Sequence, residues 1–173
     1  MPFARSAALL LLISAGPVAA QSAEAPPCAA QSSLPPELSG WGKALPLAAA
    51  GAAQDLAGAQ LVPGKAMTAT LLATPRVRYA LPPEKPGAPA THGGMFGFTI
   101  AEAGRYRVAL GAGAWIDVVR DGQTIASAAH GHGPACTGVR KMVDFDLSPG
   151  RYLLQVAGNA TTTLPLMMVR LPG

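Results

Sequence analysis

Two stretches of this chain, AGRYRVAL at residues 103–110 and PGRYLLQV at residues 149–156, begin alike and decide the fold. Each places a glycine, an arginine and a tyrosine in front of a short run that is rich in apolar residues. A turn glycine followed by such a run is typical of a strand in an antiparallel β-sandwich. In the first stretch Tyr106, Val108 and Leu110 share one face of the predicted strand, while Arg105 and Arg107 take the other.

Similar short segments recur along the chain and predict further strands. Asp121-Gly122 is a strong hairpin signal, and it separates predicted strands at 115–120 and 123–128. Residues 130–138 are punctuated by glycine and predict a loop. Other predicted strands lie at 67–73, 77–81, 95–100, 139–147 and 164–171. The fold class is therefore all-β, an antiparallel β-sandwich of jelly-roll or Greek-key type with eight or nine short strands.

Lys141 stands out within the predicted strand 139–147. One face of this strand carries Val139, Val143, Phe145 and Leu147, and Lys141 interrupts that apolar set. A charged residue at an inward position is expected near the end of a sheet, where its ammonium group can reach water.

The N-terminus has the pattern of a secretory signal peptide. Arg5 precedes the apolar run 7–13, Gly16 and Pro17 interrupt it, and small residues precede a cleavage site between Ala20 and Gln21. The run is too short to span a bilayer, which needs about 20 residues. No later segment has about 18 apolar residues in a row, so no membrane span is expected after signal removal. We expect a signal peptide at 1–20, an irregular arm with the first elements at 21–60, a β-sandwich domain at 61–173, and a periplasmic or secreted location.

The charge pattern argues against nucleic acid as a partner. The formal net charge is +4, but the lysines and arginines are scattered instead of forming the cluster that a phosphate backbone requires. The expected partner is an unidentified ligand or another component of the cell envelope.

The chain has two cysteines, Cys28 and Cys136. In an oxidising compartment an isolated pair most simply forms one disulfide bond, which here would tie the N-terminal arm to the sheet. The alternative is that Cys136 binds a metal ion as a thiolate.

Three histidines are candidate metal ligands. His130 and His132 are separated by one glycine, so an extended backbone directs both imidazoles to one side. His92, which lies before two glycines, would complete a set of three around a single Zn, Cu or Fe ion with an open position. The alternative is a solvated loop, with no cofactor and no catalytic residue.

Other side chains allow a ligand site or a purely structural role. Trp115 is expected either to stack on a sugar or to lie half-buried in its apolar strand. Asp144 and Asp146 alternate onto an outward face, where solvated carboxylates are expected instead of a calcium site.

Residues 103–171 resemble the pre-peptidase C-terminal type of secreted β-sandwich. The resemblance is carried by the segments 103–106, 115–119 with Asp121-Gly122, and 145–152. It implies an accessory or binding module without catalysis.

Nearly the whole chain after the signal peptide is similar to a family of small exported bacterial proteins, some of which carry the label homogentisate 1,2-dioxygenase. The similarity rests on Pro27-Cys28, on 38–41, on 83–87 and on HGHGPACTGVRKMVDFDL at 130–147. The label implies iron held by two histidines and a carboxylate in a cupin-like fold. Here Cys136 stands where the cupin glutamate is expected, so such an activity would need His92 and a carboxylate such as Asp117 or Glu84.

The sequence thus leaves two functions open. The first is an exported, non-catalytic β-sandwich that binds an unknown ligand or serves as an accessory protein. The second is a metal-binding protein that uses the His-x-His loop, with oxygenase activity of the kind the label implies.

Overall fold

The structure is a computed structural model that describes Cys28 and residues 32–173. The predicted signal peptide and its cleavage site lie outside the described residues. Within the described part, strands alternate with loops, and the helical segments are short 3₁₀ turns. The turns are η1 (Pro36–Leu38), η2 (Ala53–Gly58) and η3 (Thr74–Arg76). The strands are β1 (Leu45–Ala48), β2 (Ala66–Thr70), β3 (Leu72–Ala73), β4 (His92–Ile100), β5 (Gly104–Leu110), β6 (Trp115–Arg120), β7 (Gln123–Ile125), β8 (Ala129–Gly131), β9 (Lys141–Leu147), β10 (Gly150–Asn159) and β11 (Thr163–Arg170).

The strands form two sheets, which confirms the predicted all-β sandwich. One sheet has six strands in the order β1-β2-β11-β5-β9-β8, and the other has five in the order β3-β4-β10-β6-β7. The pairs are antiparallel except for β1 and β2, which are parallel. Most neighbours are not consecutive in sequence, so the chain passes repeatedly between the sheets.

The two strands that open on Gly-Arg-Tyr occupy interior positions, one in each sheet. β5 lies between β11 and β9, and β10 lies between β4 and β6. Their apolar residues face the space between the sheets, where Phe96, Leu154 and Val118 of the five-stranded sheet and Val108 and Leu110 of the six-stranded sheet are completely buried. This packed layer is the main core.

A smaller apolar cluster lies apart from the main core and includes residues of the N-terminal segment. Leu38 is fully buried, and Trp41 packs against the same cluster, which includes Met167 and Val169 of β11. Leu38 and Trp41 therefore pack together against the domain. β1 also belongs to the six-stranded sheet, so strands of the sandwich begin within the segment that was expected to carry the first elements.

The prediction of a strand at 77–81 is wrong. This segment forms no strand and lies against the five-stranded sheet through side chains. The Tyr79 hydroxyl donates to the Val156 carbonyl oxygen at 2.9 Å. Gly93 makes this approach possible, because a Cβ there would overlap the Tyr79 hydroxyl. Alternating apolar residues produced the strand prediction, but the prolines on both sides and these side-chain contacts keep the backbone out of the ladder.

The predicted hairpin at Asp121-Gly122 is confirmed. Both residues have positive φ, 51° and 74°, as a two-residue turn of type I′ requires. The loop predicted at 130–138 differs at its start, because residues 129–131 form β8 and pair with β9.

Candidate functional site

Two of the three candidate histidines lie on strands of different sheets, and His132 lies in the loop after β8. His92 begins β4 in the five-stranded sheet, where it pairs with Asn159 of β10. His130 lies on β8 of the six-stranded sheet, opposite Val143. The described residues contain no group of three or more histidine, cysteine, aspartate or glutamate side chains placed to hold a metal ion.

The His-x-His pair itself lies on the surface. His130 and His132 are both exposed, and the Nδ1 atom of His132 lies 3.2 Å from the Arg140 carbonyl oxygen. This contact leaves Nε2 as the ring nitrogen available to a metal. Metal binding by this pair stays a prediction, and within the described chain it has no third ligand beside it.

Cys28 and Cys136 form the predicted disulfide bond. Their Cα atoms are 5.6 Å apart and 108 positions separate them in sequence. Cys136 is therefore not a thiolate ligand, and the bond ties the N-terminal arm to the loop that follows β8. A disulfide is typical of proteins outside the reducing cytoplasm, so it is compatible with an extracellular location.

A cleft among the described residues lies at one open edge of the sandwich. It has a volume of about 660 Å³ and is bordered by β7 and β8, the outermost strands of the two sheets on that side. Polar and charged groups surround an apolar floor. The residues that line it are Pro82, Glu84, Lys85, Trp115, Ile116, Asp117, Thr124, Ile125, Ala126, Ser127, His130, Lys141, Val143 and Phe145.

Trp115 is the centre of this arrangement. Its indole is half-buried, and the Lys85 and Lys141 ammonium nitrogens lie 4.7 and 5.2 Å from the ring centroid. Ammonium groups at this distance are attracted by the electron-rich face of an indole. The indole N–H donates to Asp117 Oδ1 at 3.0 Å. One side chain thus holds two cations and one carboxylate in place.

The environment of the cleft shifts the pKa values of Asp117 and Lys141. Burial raises the pKa of Asp117, as does the nearby charge of Glu84, whereas the hydrogen bond from Trp115 and the charge of Lys141 lower it. Burial lowers the pKa of Lys141, as does the like charge of Lys85, while Asp117 opposes this effect. These effects indicate electrostatic interactions within the cleft among Glu84, Lys85, Asp117 and Lys141.

These four charged residues make no ion pair. The ion pairs among the described residues involve other side chains. Asp117 is instead bound to the indole N–H, and the Lys141 ammonium donates to the Ala114 carbonyl oxygen at 2.9 Å. Two cations and two anions therefore share one cleft while staying more than a salt-bridge distance apart.

The segment that carries Glu84 and Lys85 is fastened to the five-stranded sheet. The Gln155 side chain bonds both backbone groups of Leu81: Oε1 accepts from the amide at 3.1 Å and Nε2 donates to the carbonyl at 3.0 Å. Farther along, Gly87 lies against Gly158, with no space for a side chain between them. These contacts hold the loop beside Trp115.

Sequence reasoning identified Trp115 but not the cleft around it. The half-buried indole agrees with the structural role expected for a tryptophan in this strand, and ammonium groups lie against it. The sequence feature that could have indicated the cleft was Lys141, a charged residue on an otherwise apolar strand face. The sequence around Lys85 did not indicate that this residue lies in the cleft, because its position depends on contacts between segments far apart in sequence.

No protein-family model matches this sequence, and no curated protein is similar to it at a meaningful level.

Proposed function

We propose that this protein is an exported, non-catalytic binding protein whose ligand site is the cleft around Trp115. The observation that carries the proposal is the grouping of two ammonium groups and two carboxylates around one half-buried indole. A concave site with an apolar floor and a few convergent polar groups is the usual form of a small-molecule site. Its volume of about 660 Å³ falls within the range of about 300–1,000 Å³ that such sites have.

The chemistry of the cleft supports binding over catalysis. A nucleophilic hydroxyl needs a base in hydrogen-bond contact. Ser127 and His130 both line the cleft, yet the side-chain hydrogen bonds found in the described part of the chain join neither residue to the other. Asp117 and Lys141 are bound to neutral partners, the Trp115 indole N–H and the Ala114 carbonyl oxygen, that hold them in place, which suits recognition.

The proposed location is the periplasm or the extracellular space. The signal peptide pattern of residues 1–20 and the disulfide bond both support it. Within the described residues, no helix has the length and apolar character needed to cross a membrane.

The test is a screen of small metabolites by ligand-observed NMR, followed by mapping of each hit on the amide spectrum of the whole protein. We expect hits to shift the resonances of Trp115, His130 and Lys141 and to lose affinity in a Lys85→Gln variant. Because Lys85 is exposed and lies in a loop, this variant is expected to fold. A Lys65→Gln variant, altered at an exposed lysine outside the cleft, is the matched control.

The proposal fails if the hits map away from the cleft or bind both variants equally. It also fails if no compound of any class binds. Turnover of a hit by the protein would contradict the non-catalytic part alone.

A further inference from the structure

The two lysines of the cleft could bind an anionic group of a ligand. Lys85 and Lys141 both lie near the Trp115 ring, at 4.7 and 5.2 Å from its centroid, and each lacks a carboxylate partner among the described residues. The two like charges repel each other. A carboxylate between them would remove that repulsion and gain charge-assisted hydrogen bonds.

The two carboxylates of the cleft could bind a cationic group of a ligand. Asp117 Oδ1 is engaged by the indole N–H at 3.0 Å, which fixes the carboxylate and leaves Oδ2 free of the side-chain hydrogen bonds found in the described residues. Glu84 is exposed on the same cleft. A ligand ammonium group near these two carboxylates would find acceptors with no competing ion pair.

The floor of the cleft is apolar. Ile116, Ile125, Val143 and Phe145 line it, and they are continuous with the main core. An apolar side chain on the ligand would pack on this surface and itself be removed from water.

On the proposed function, we infer that the ligand is an amino-acid-like zwitterion with an apolar side chain. Its carboxylate lies at Lys85 and Lys141, its ammonium group at Asp117 and Glu84, and its side chain on the apolar floor. Such a ligand uses both lysines and both carboxylates that line the cleft.

The charge balance disfavours the rival ligand classes. A polyanion such as a nucleotide or a sulfated sugar would meet Asp117 and Glu84 as well as the lysines. A neutral sugar would leave the two ammonium groups without an anion. A simple monocarboxylate would use one half of the site only.

The experiment compares three probes that differ in charge and share one side chain. Phenylalanine is the zwitterion, N-acetylphenylalanine keeps only the negative charge, and phenylalanine amide keeps only the positive charge. Binding to the whole protein is followed by the two indole N–H resonances, which a Trp41→Phe variant assigns. The Trp115 signal should move on titration while the Trp41 signal, from the separate apolar cluster, stays still.

We expect phenylalanine to bind at least about tenfold more tightly than either derivative, the ratio that loss of one charge-assisted contact produces. Lys141→Gln should weaken phenylalanine by a similar factor and leave phenylalanine amide almost unchanged. Asp117→Asn should do the reverse, weakening the amide and sparing N-acetylphenylalanine. Lys65→Gln should change nothing.

Equal binding of N-acetylphenylalanine overturns the inference in favour of a simple anion site. Equal binding of the amide overturns it in favour of a cation site. Absence of phenylalanine binding at about 10 mM, far weaker than a specific site requires, also overturns it. In each case another compound class found at the cleft by the metabolite screen would leave the proposed binding function standing.

Discussion

Tyr106 and Tyr152 make the same hydrogen bond in the two sheets. Each hydroxyl donates to the carbonyl oxygen of the residue four positions earlier, Glu102 in one case and Ser148 in the other, at 2.8 Å. Both tyrosines are buried. The sequence repeat is therefore also a structural repeat: in each sheet it fixes the turn that leads into an interior strand, as tyrosine corners do in other sandwiches.

The two tyrosine hydroxyls have different numbers of hydrogen-bond partners. Removing them should therefore lower the free energy of unfolding by different amounts. The Tyr152 hydroxyl also accepts from Arg120 at 2.9 Å and from the Ser148 amide at 3.2 Å. We expect Tyr106→Phe to lower the free energy of unfolding by about 1 kcal/mol and Tyr152→Phe by about 2 kcal/mol, because the latter leaves more groups without a partner. Urea unfolding measures both, and equal losses would contradict the prediction.

The strand pair β5–β9 carries two bidentate ion pairs of different exposure. Arg107 bonds both carboxylate oxygens of Asp144, at 2.8 and 2.9 Å, and Arg105 bonds Asp146 in the same way. The Asp144 side chain is 9% exposed and that of Asp146 is 63% exposed. The expectation that both are solvated strand carboxylates is thus wrong for Asp144.

We expect Asp144→Ala to cost about 2 kcal/mol of unfolding free energy, since it removes charged hydrogen bonds from a partly buried arginine. Asp146→Ala is the control, and its loss should be clearly smaller because water solvates both partners. The comparison needs only the midpoints of chemical unfolding. A larger loss at Asp146 would show that burial does not determine the strength of these pairs.

Gln155 connects the fold to the cleft, because its side chain holds Leu81 and so the loop that carries Lys85. Replacing Gln155 by leucine keeps its size but leaves the Leu81 backbone groups unpaired, at a cost of about 1–3 kcal/mol. We also expect the cation–π contact between Lys85 and Trp115 to be lost. Amide hydrogen exchange should rise at Leu81, and any cleft ligand should bind more weakly.

A Gln155→Glu variant is a second test of this contact. Glutamate can still accept from the Leu81 amide, but its carboxylate, at a buried position, cannot donate to the Leu81 carbonyl and is repelled by it, so exchange at Leu81 should rise here as well. If amide exchange at Leu81 stays unchanged in both variants, other contacts hold the loop, and the Gln155 side chain does not position Lys85.

Much of the fold could be predicted from local patterns, because a strand and a turn are set by nearby residues. The repeated Gly-Arg-Tyr segments and Asp121-Gly122 predicted strands and a hairpin where the structure has them. Residues 77–81 have the same alternation, but their backbone is held by Tyr79 and Gln155 side chains. Besides the flanking prolines, the contacts with β10, more than 70 residues away, distinguish this segment from a strand.

The candidate site was harder to predict, since it depends on which strands become neighbours. His92 and His130 lie in different sheets, a fact set by topology and not by spacing. The cleft brings together Lys85, Trp115 and Lys141 from three separate segments. The lone charge at Lys141 on an apolar face was the one local sign of it.

The disulfide bond should contribute strongly to stability, because it closes a long loop. For a sequence separation of 108, chain-entropy arguments give about 5 kcal/mol. A Cys28→Ser/Cys136→Ser double variant should lose an amount near this value in urea unfolding. Reductant should produce the same loss in the unaltered protein and none in the variant; a reductant effect on the variant would show that the loss has another source.

Tyr79 makes stability depend on pH in the alkaline range. Burial, with a smaller effect from the charge of Asp117, raises the pKa of Tyr79 from 10.0 to about 12. Between these values the unfolded chain has released a proton that the folded protein keeps, so unfolding becomes more favourable as pH rises. The contribution is complete below pH 10.0 and is lost as pH rises through about 12.

The measurement is the difference in unfolding free energy between the unaltered protein and Tyr79→Phe, followed across this pH range. Lysines and the other tyrosines titrate in both proteins, so the difference isolates Tyr79. We expect Tyr79→Phe to be less stable near neutral pH, because it lacks the hydrogen bond to Val156, and the gap to narrow as pH rises. An Asp117→Asn variant should lower the pKa of Tyr79, as read from tyrosinate absorbance. A gap that stays constant with pH would mean that Tyr79 titrates alike in the folded and unfolded chain.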